Sequence, residues 1–344
     1  MTTPTTGAAE KTSSPSWEGE TPEIAVLIPT HERRASLGAL IDALERARYD
    51  RRRFEVVIVD DASTDDTWSA LRERVRITPL RLLAARAGVN AGPAAARNLA
   101  ASLARADLFA FTDDDCLPAS GWLASLREGL RDAEVVQGRT LPDPAQARSG
   151  GAWSRSVWIT APTRLYETCN IGWRRDAFER QGGFPTARPD QPGGTRAHFG
   201  EDVELGWRHV SSGGSVAYRA GALVHHAVHP GSFGGWLAER RRLGLFPGLV
   251  RRTPGMSDAL RLGVFLSWDT AIFDLALGGA AAAVSLRRPW VAALTLPWLY
   301  ARWRDARHIP GRTRAVRAAQ LAVGDAVGLT SLLAGSIKGR RLVL

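Results

Sequence analysis

Apolar residues along this chain first occur as short continuous runs, and only later as long stretches. Ile24-Ala25-Val26-Leu27-Ile28, Phe54-Glu55-Val56-Val57-Ile58-Val59 and Asp107-Leu108-Phe109-Ala110-Phe111 have strand length and are closed by Pro-Thr or by acids. That is the pattern of buried strands leading into loops. Leu37, Leu40, Ile41 and Leu44 recur at helical spacing between the first two runs, and Trp68 and Leu71 mark a second helix with Thr64 or Asp65 available as its cap. Strand alternating with helix predicts an α/β fold with a doubly wound, mostly parallel sheet. Gly92-Pro93 opens an Ala-rich helix, and Glu134–Gly138 and Ala217–Val224 read as later strands. Periodicity is lost from Asp143 to Thr163, which reads as a mobile loop bordering the site.

Chemistry gathers where the strand patterns end. Asp113-Asp114-Asp115 follows the third run and sets hard oxygen ligands at the carboxyl edge of the sheet, where open α/β folds bind their ligands. His225-His226-Ala227-Val228-His229 follows a late strand, and three histidines in five residues suit a metal better than one does. Glu201-Asp202 begins an amphipathic helix, where an acid also serves the helix dipole as a simple cap. Arg97, near the start of the Ala-rich helix, reads either as a solvated surface arginine or as a charge beside phosphate at a helix N-terminus.

The 344 residues suffice for one large domain with an appendage. Cys116 and Cys169 are the only cysteines and form no C-x-x-C pair, which favours a reduced intracellular protein over a disulfide-stapled one. Residues 1–22, rich in Thr, Ser, Pro and Gly at their start and without an apolar signal core, read as a disordered leader; 23–235 read as the catalytic domain and 236–344 as a helical, basic appendage. Residues 236–344 hold 17 Lys plus Arg against 6 Asp plus Glu, a net of +11 that leaves −1 on the first 235 of a chain whose net charge is +10. A basic tail of this kind suits an anionic surface. Leu262–Leu286 and Trp290–Tyr300 are apolar but not clean transmembrane spans. Their arginine flanks and tryptophans suit helices lying at a membrane interface, or a helical hairpin packed on the catalytic domain.

Taken in order, Pro29-Thr30-His31-Glu32, Val59-Asp60-Asp61-Ala62-Ser63, Ala91-Gly92 through Arg97-Asn98, Asp113–Asp115 with Pro118 beyond, Gly182-Gly183-Phe184 and Glu201-Asp202 resemble a family-2 glycosyltransferase with the GT-A fold. The resemblance runs from about Ile24 to His229. It implies that Pro29, Thr30, Glu32, Asp60 and Asp61 hold the nucleotide base and ribose, and that Arg97 stands on the phosphate side. It implies further that Asp113 and Asp114 belong to the nucleotide-sugar site, that Asp115 ligates Mn²⁺ or Mg²⁺, that Asp202 is the catalytic base, and that His225 or His226, with His226 preferred, adds a metal ligand. The chemistry requires such groups in any case. A hard cation stabilises the charge growing on a departing nucleoside diphosphate, and a carboxylate must take the proton of an attacking hydroxyl. The expected partners are a nucleotide-diphosphate sugar, a hydroxyl acceptor of lipid-linked type and an anionic membrane, with the protein peripheral on the cytoplasmic face.

Three other readings fit less well. A nucleotidyltransferase would carry a glycine-rich loop with Arg or Lys after the first strand, where this chain has Pro29-Thr30-His31-Glu32. An aspartate-based phosphatase would carry Thr at the position occupied by Leu117. A nucleic-acid-binding scaffold lacks support, because no zinc-finger or RNA-recognition signature occurs and no specific nucleic acid is expected.

Overall fold

The computed structural model describes residues 8–148, 150–186, 199–307 and 314–344. The chain divides into two compact units, one of Met1–Arg148 with Ser156–Val228 and the other of Ser149–Arg155 with His229–Leu344. The first unit runs β1 (Ala8–Ser13), β2 (Ile24–Thr30), α1 (Arg34–Glu45), β3 (Phe54–Asp60), α2 (Thr67–Ile77), β4 (Leu82–Ala87), α3 (Pro93–Leu103), β5 (Leu108–Thr112), β6 (Cys116–Pro118) and α4 (Trp122–Asp132). It continues with β7 (Val135–Pro142), α5 (Pro144–Ala147), β8 (Asn170–Arg174), α6 (Arg175–Arg180), α7 (Glu201–Ser211) and β9 (Val216–His226).

Nine strands form one sheet in the order β1-β4-β3-β2-β5-β8-β7-β9-β6. Its centre, β4-β3-β2-β5, is parallel throughout. Beyond β5 the sheet is mixed, because β8 runs antiparallel to both β5 and β7 while β9 pairs parallel with β7 and antiparallel with β6. Every residue of β2 and β3 is buried, as expected of strands covered on both faces by crossover helices. Leu37, Leu40, Ile41 and Leu44 of α1 and Trp68, Leu71 and Val75 of α2 pack into the same core as Ile24, Val26, Val56 and Ile58. The helical spacing seen in the sequence is thus the spacing of core contacts.

Two expectations change in this unit. The segment read as a disordered leader is ordered over Ala8–Ser13, which pairs antiparallel with β4 and covers that edge of the sheet. The Trp68 indole donates to Glu10, and the buried Ser14 hydroxyl donates to the Leu80 carbonyl, so tertiary partners supply what local periodicity lacks. β8, which no sequence pattern announced, sits between β5 and β7 because Asn170–Arg174 finds backbone partners on both sides. The irregular stretch after Asp143 contains α5 and an isolated bridge between Thr140 and Ile159 that buries Ile159. The polar stretch from Thr186 to Arg196 lies, beyond its first residue, outside the described residues.

The second unit contains α8 (Phe233–Arg242), α9 (Phe246–Arg252), α10 (Trp268–Ser285), α11 (Leu296–Ala306) and α12 (Arg314–Gly339). α12 is, among the described residues, the one helix long and apolar enough to cross a membrane, with a mean hydropathy of 1.3 over its most apolar window. It lies beyond Leu262–Leu286 and Trp290–Tyr300, the two long apolar stretches that the sequence pattern marks. The buried face of α12 sets Gly324, Gly328 and Gly335 among Leu321 and Leu332: Gly324 abuts Trp236, and Gly335 abuts the Gly244 backbone. Trp268, Trp290, Leu296, Tyr300 and Ile337 are exposed at 57–80% of their surface, so much of this unit's apolar surface has no cover within it.

Packing around β7 gives a direct test of the sheet. A Cβ added at Gly138 would lie 2.3 Å from Asn170 Oδ1 and 2.5 Å from the Ala222 carbonyl oxygen. Gly138→Ala is therefore expected to destabilise the protein by about 1–3 kcal/mol in urea denaturation. An unchanged midpoint would show that these strands do not approach so closely.

Candidate functional site

The parallel register brings the ends of β2, β3 and β5 to one edge: Thr30 pairs with Asp60, and Leu27 with Phe111 just before the acidic turn. A cavity of about 430 Å³ opens there, lined in part by Pro29, Thr30, Asp61, Arg97, Asp113, Asp114, Asp115 and His226. These eight were all singled out from the sequence. Glu32, Asp60 and Asp202 are not among its lining residues.

Each carboxylate at this edge is held differently. Asp61 accepts the Ala91 and Gly92 backbone N–H groups at 2.9 and 2.7 Å. It thereby fixes the turn into α3, where Gly92 adopts φ +89°, a conformation that favours glycine. Asp60, expected at the nucleotide, does not line the cavity. It is fully buried, accepts the Ser63 hydroxyl and N–H, and lies 3.4 Å from Arg86 Nε. Burial raises its pKa against those donors. Glu32 stays at the surface with φ +54°, its carboxylate receiving the Thr64 hydroxyl at 2.7 Å.

Within the acidic turn the three aspartates separate. Asp114 turns inward and accepts the Thr30 hydroxyl at 2.7 Å. Burial, opposed by that bond and reinforced by the charges of Asp113 and Asp115, pushes its pKa up to about 7. Asp113 accepts from Arg97 at 2.7 Å. Asp115 faces His226, with 3.6 Å between Asp115 Oδ1 and Nε2.

The choice between the two histidines follows from strand geometry. Both lie inside β9 and not beyond it, so their side chains point to opposite faces. β6 pairs Cys116 with His226, and the Ala227 N–H donates to the Asp115 carbonyl, which holds His226 beside Asp115. His226 Nδ1 lies 2.8 Å from the Ala227 carbonyl oxygen. A neutral imidazole donating there presents the Nε2 lone pair to Asp115, and two acceptors face one another across a gap that suits a cation. Metal–ligand bonds of about 2.0–2.2 Å place neighbouring ligand atoms about 3 to 3.5 Å apart, close to the observed separation. Cys116 Sγ completes a compact donor group with them, but burial raises its thiol pKa well above the ordinary value. The available donors are therefore a carboxylate and an imidazole, which fit a hard or borderline divalent ion.

Asp202 lies in the first turn of α7. It is half-buried, and its Oδ1 accepts the Val203 N–H at 2.8 Å. Burial, then the Glu201 charge, raises its pKa to about 7 against the pull of Arg97. Arg97 connects this helix to the cavity, since it reaches Glu201 at 3.4 Å with one nitrogen and Asp113 with another. His31, Arg33, Asn90, Gly92 and Pro93 also line the cavity and were not picked out as site residues. The first two flank the Pro29-Thr30 exit, so proximity in sequence was their one available signal.

A parallel sheet whose carboxyl edge presents an acidic turn, a facing histidine and an acid-headed helix defines a GT-A type α/β protein. Residues 25–180 match the family model described as glycosyl transferase family 2. It is 27% identical over 284 residues to the pre-mycofactocin glycosyltransferase of Mycobacterium tuberculosis, covering 76% of this chain and 55% of the relative. It is 29% identical over 226 residues to the validoxylamine A glucosyltransferase of Streptomyces hygroscopicus subsp. jinggangensis, covering 54% of this chain and 51% of that one. The chain thus spans about half the length of these curated relatives. Among solved structures, a mannosyltransferase of Pyrobaculum calidifontis in complex with GDP-Man and Mn²⁺ shares the fold, with a TM-score of 0.56, 23% identity and coverage of 93% of this chain and 88% of that one.

Proposed function

We propose that this protein is an inverting glycosyltransferase that moves a sugar from a nucleotide-diphosphate donor to a hydroxyl acceptor, in the synthesis of a cell-surface polysaccharide or glycolipid. The supporting observation is the convergence of Asp113, Asp115, Arg97 and His226 on one cavity at the carboxyl edge of a family-2 sheet. A nucleotidyltransferase remains the second reading, with no specific observation in its favour.

Asp115 and His226 would hold Mn²⁺ or Mg²⁺, which when bound supplies charge neutralisation for the diphosphate as it leaves. Pro29, Thr30 and Asp61, with His31 and Asn90, form the wall suited to base and ribose. Thr30 and the buried Asp114 fix the acidic turn, so that Asp113 and Asp115 keep their orientation toward the cavity. Asp202 takes the acceptor proton during attack, and direct displacement with one base inverts the anomeric centre. Its raised pKa brings proton affinity nearer to that needed by a base working at neutral pH. Holding both substrates in line contributes the larger share of the rate, on the order of 7–11 kcal/mol.

The second unit supports attachment to an anionic bilayer on the cytoplasmic side. Its exposed tryptophans and leucines offer apolar insertion, while its net positive charge attracts acidic headgroups at about 1 kcal/mol per Lys or Arg close to the surface. The acceptor is then a lipid-linked hydroxyl compound.

Asp202→Asn is expected to keep donor binding and lower transfer by about 10²–10⁴-fold, measured with a panel of nucleotide sugars. In the wild type, kcat/KM should rise with pH through about 7, because the base must be ionised. Full activity in the variant would remove Asp202 from this role. Chelation by EDTA is expected to abolish transfer and added Mn²⁺ or Mg²⁺ to restore it; transfer undiminished without any divalent ion would exclude the metal at Asp115. The full chain should float with vesicles of mixed phosphatidylcholine and phosphatidylglycerol and less well with phosphatidylcholine alone, the difference shrinking in high salt. Absence from both vesicle fractions would refute attachment.

A further inference from the structure

We propose that Arg97 is a positioning residue, a buried bridge that ties the cavity acid Asp113 to the base-bearing end of α7 through Glu201, and that it is not a contact for the donor's diphosphate. The proposal rests on the reading of Asp202 as the base.

The geometry begins with burial. Arg97 is 4% exposed, and a guanidinium so enclosed requires anionic partners. Among the described residues two reach it: one terminal nitrogen donates to Asp113 at 2.7 Å and the other lies 3.4 Å from Glu201. Burial works against its charge, yet Asp113 and then Glu201 hold its pKa above the ordinary value. The Phe184 ring, 5.7 Å from the guanidinium carbon, forms another wall. Each terminal nitrogen is already engaged by a carboxylate, and among the described residues Nε is buried without a partner.

The surroundings hold this bridge rigid. Asn98, next in α3, donates to the Phe184 carbonyl at 2.8 Å and accepts the Phe184 N–H at 2.9 Å. Arg208 of α7 donates to the Gly183 carbonyl at 2.7 Å. Gly183 has φ +71°, and a Cβ there would lie 2.7 Å from Asn98 Oδ1, so the tight turn needs glycine. Gly182-Gly183-Phe184 is thus gripped by α3 on one side and by α7 on the other. Arg97–Glu201 adds an ionic link at the end of α7 where Asp202 sits. The position of the base relative to Asp113 is set through α3 and not through the acidic turn itself.

The bridge also sets the field at Asp202. The groups that act on it are Glu201 and the Val203 N–H on its own helix, Arg97 from α3, and Glu167 from the loop before β8. Arg97 favours the ionised carboxylate, whereas Glu201 and Glu167 oppose it. Removing the arginine and removing the glutamate should therefore move Asp202 in opposite directions, which loss of packing alone would not do.

The test uses the full chain with ¹³C-labelled aspartate, the Asp202 resonance being assigned by D202N. Arg97→Gln is expected to raise the Asp202 titration midpoint by about one pH unit, and Glu201→Gln to lower it by a similar amount. Arg97→Lys, which keeps the charge, should return it toward the wild-type value. Calorimetry with UDP and GDP in MnCl₂ accompanies this: whichever nucleotide binds the wild type should bind R97K within about threefold. An Asp202 titration identical in wild type and both glutamine variants, or a loss of nucleotide affinity of about tenfold or more in R97K, would overturn the proposal. If R97Q fails to fold, R97K decides: an Asp202 midpoint near the wild-type value with nucleotide affinity within about threefold supports the bridge, and a loss of affinity of about tenfold or more refutes it. Wild-type transfer by D202N would remove the base reading, while the resonance shifts would still decide the role of Arg97.

Discussion

Negative charge crowded onto one edge of a parallel sheet is the constraint on which the rest of this protein depends. Strands in register end together, so Asp60, Asp61 and the acids after β5 arrive at the same place. Carboxylates so close cannot all remain ionised without donors or cations. The fold answers each one separately: Asp60 with Ser63 and Arg86, Asp61 with the amides that open α3, Asp114 with Thr30, and Asp113 with Arg97. Asp115 is paired with a histidine whose far nitrogen is already directed to a carbonyl. Asp115 and His226 together stand in an arrangement suited to a metal.

The same balance explains why a helix distant in sequence belongs to the site. Arg97 needs two anions to stay charged in the interior, and the second is Glu201. The two units differ in chemistry: polar donors and acids gather at the cavity of the first, and aromatics and arginines are exposed on the second. In the second unit Arg302 and Asp325 are matched locally, whereas both Asp274 carboxylate oxygens are buried without a hydrogen-bond partner among the described residues. Arg302 meets Asp269, Asp305 and Asp325, and the Trp298 indole donates to Asp325 at 2.8 Å. The glycines on the buried face of α12 let neighbouring segments approach closely.

Local order was the legible part of this sequence. Continuous apolar runs gave β2, β3 and β5, and helical spacing gave α1 and α2, because burial on both faces of a sheet or along one stripe of a helix leaves a periodic trace. The acids at the strand ends could be read as a ligand edge for the same reason. β1 and β8 left no such trace, since an edge strand and a strand inserted between two others owe their shape to hydrogen bonds with residues far along the chain. α12 escaped notice because its arginines and Asp325 interrupt the apolar pattern, and these charges are tolerated once partners within the unit meet them.

What the sequence determined by itself was the alternation of elements, the parallel centre of the sheet and the acids that had to emerge at its carboxyl edge. Those features follow from neighbours within a few residues, whose spacing is fixed by the chain. Tertiary structure decided which acid faces which partner: that Asp60 turns inward, that His226 and not His225 meets Asp115, and that Arg97 joins Asp113 to Glu201. These depend on strand register and on the approach of helices separated by a hundred residues or so, where direction and distance are set by packing and charge pairing.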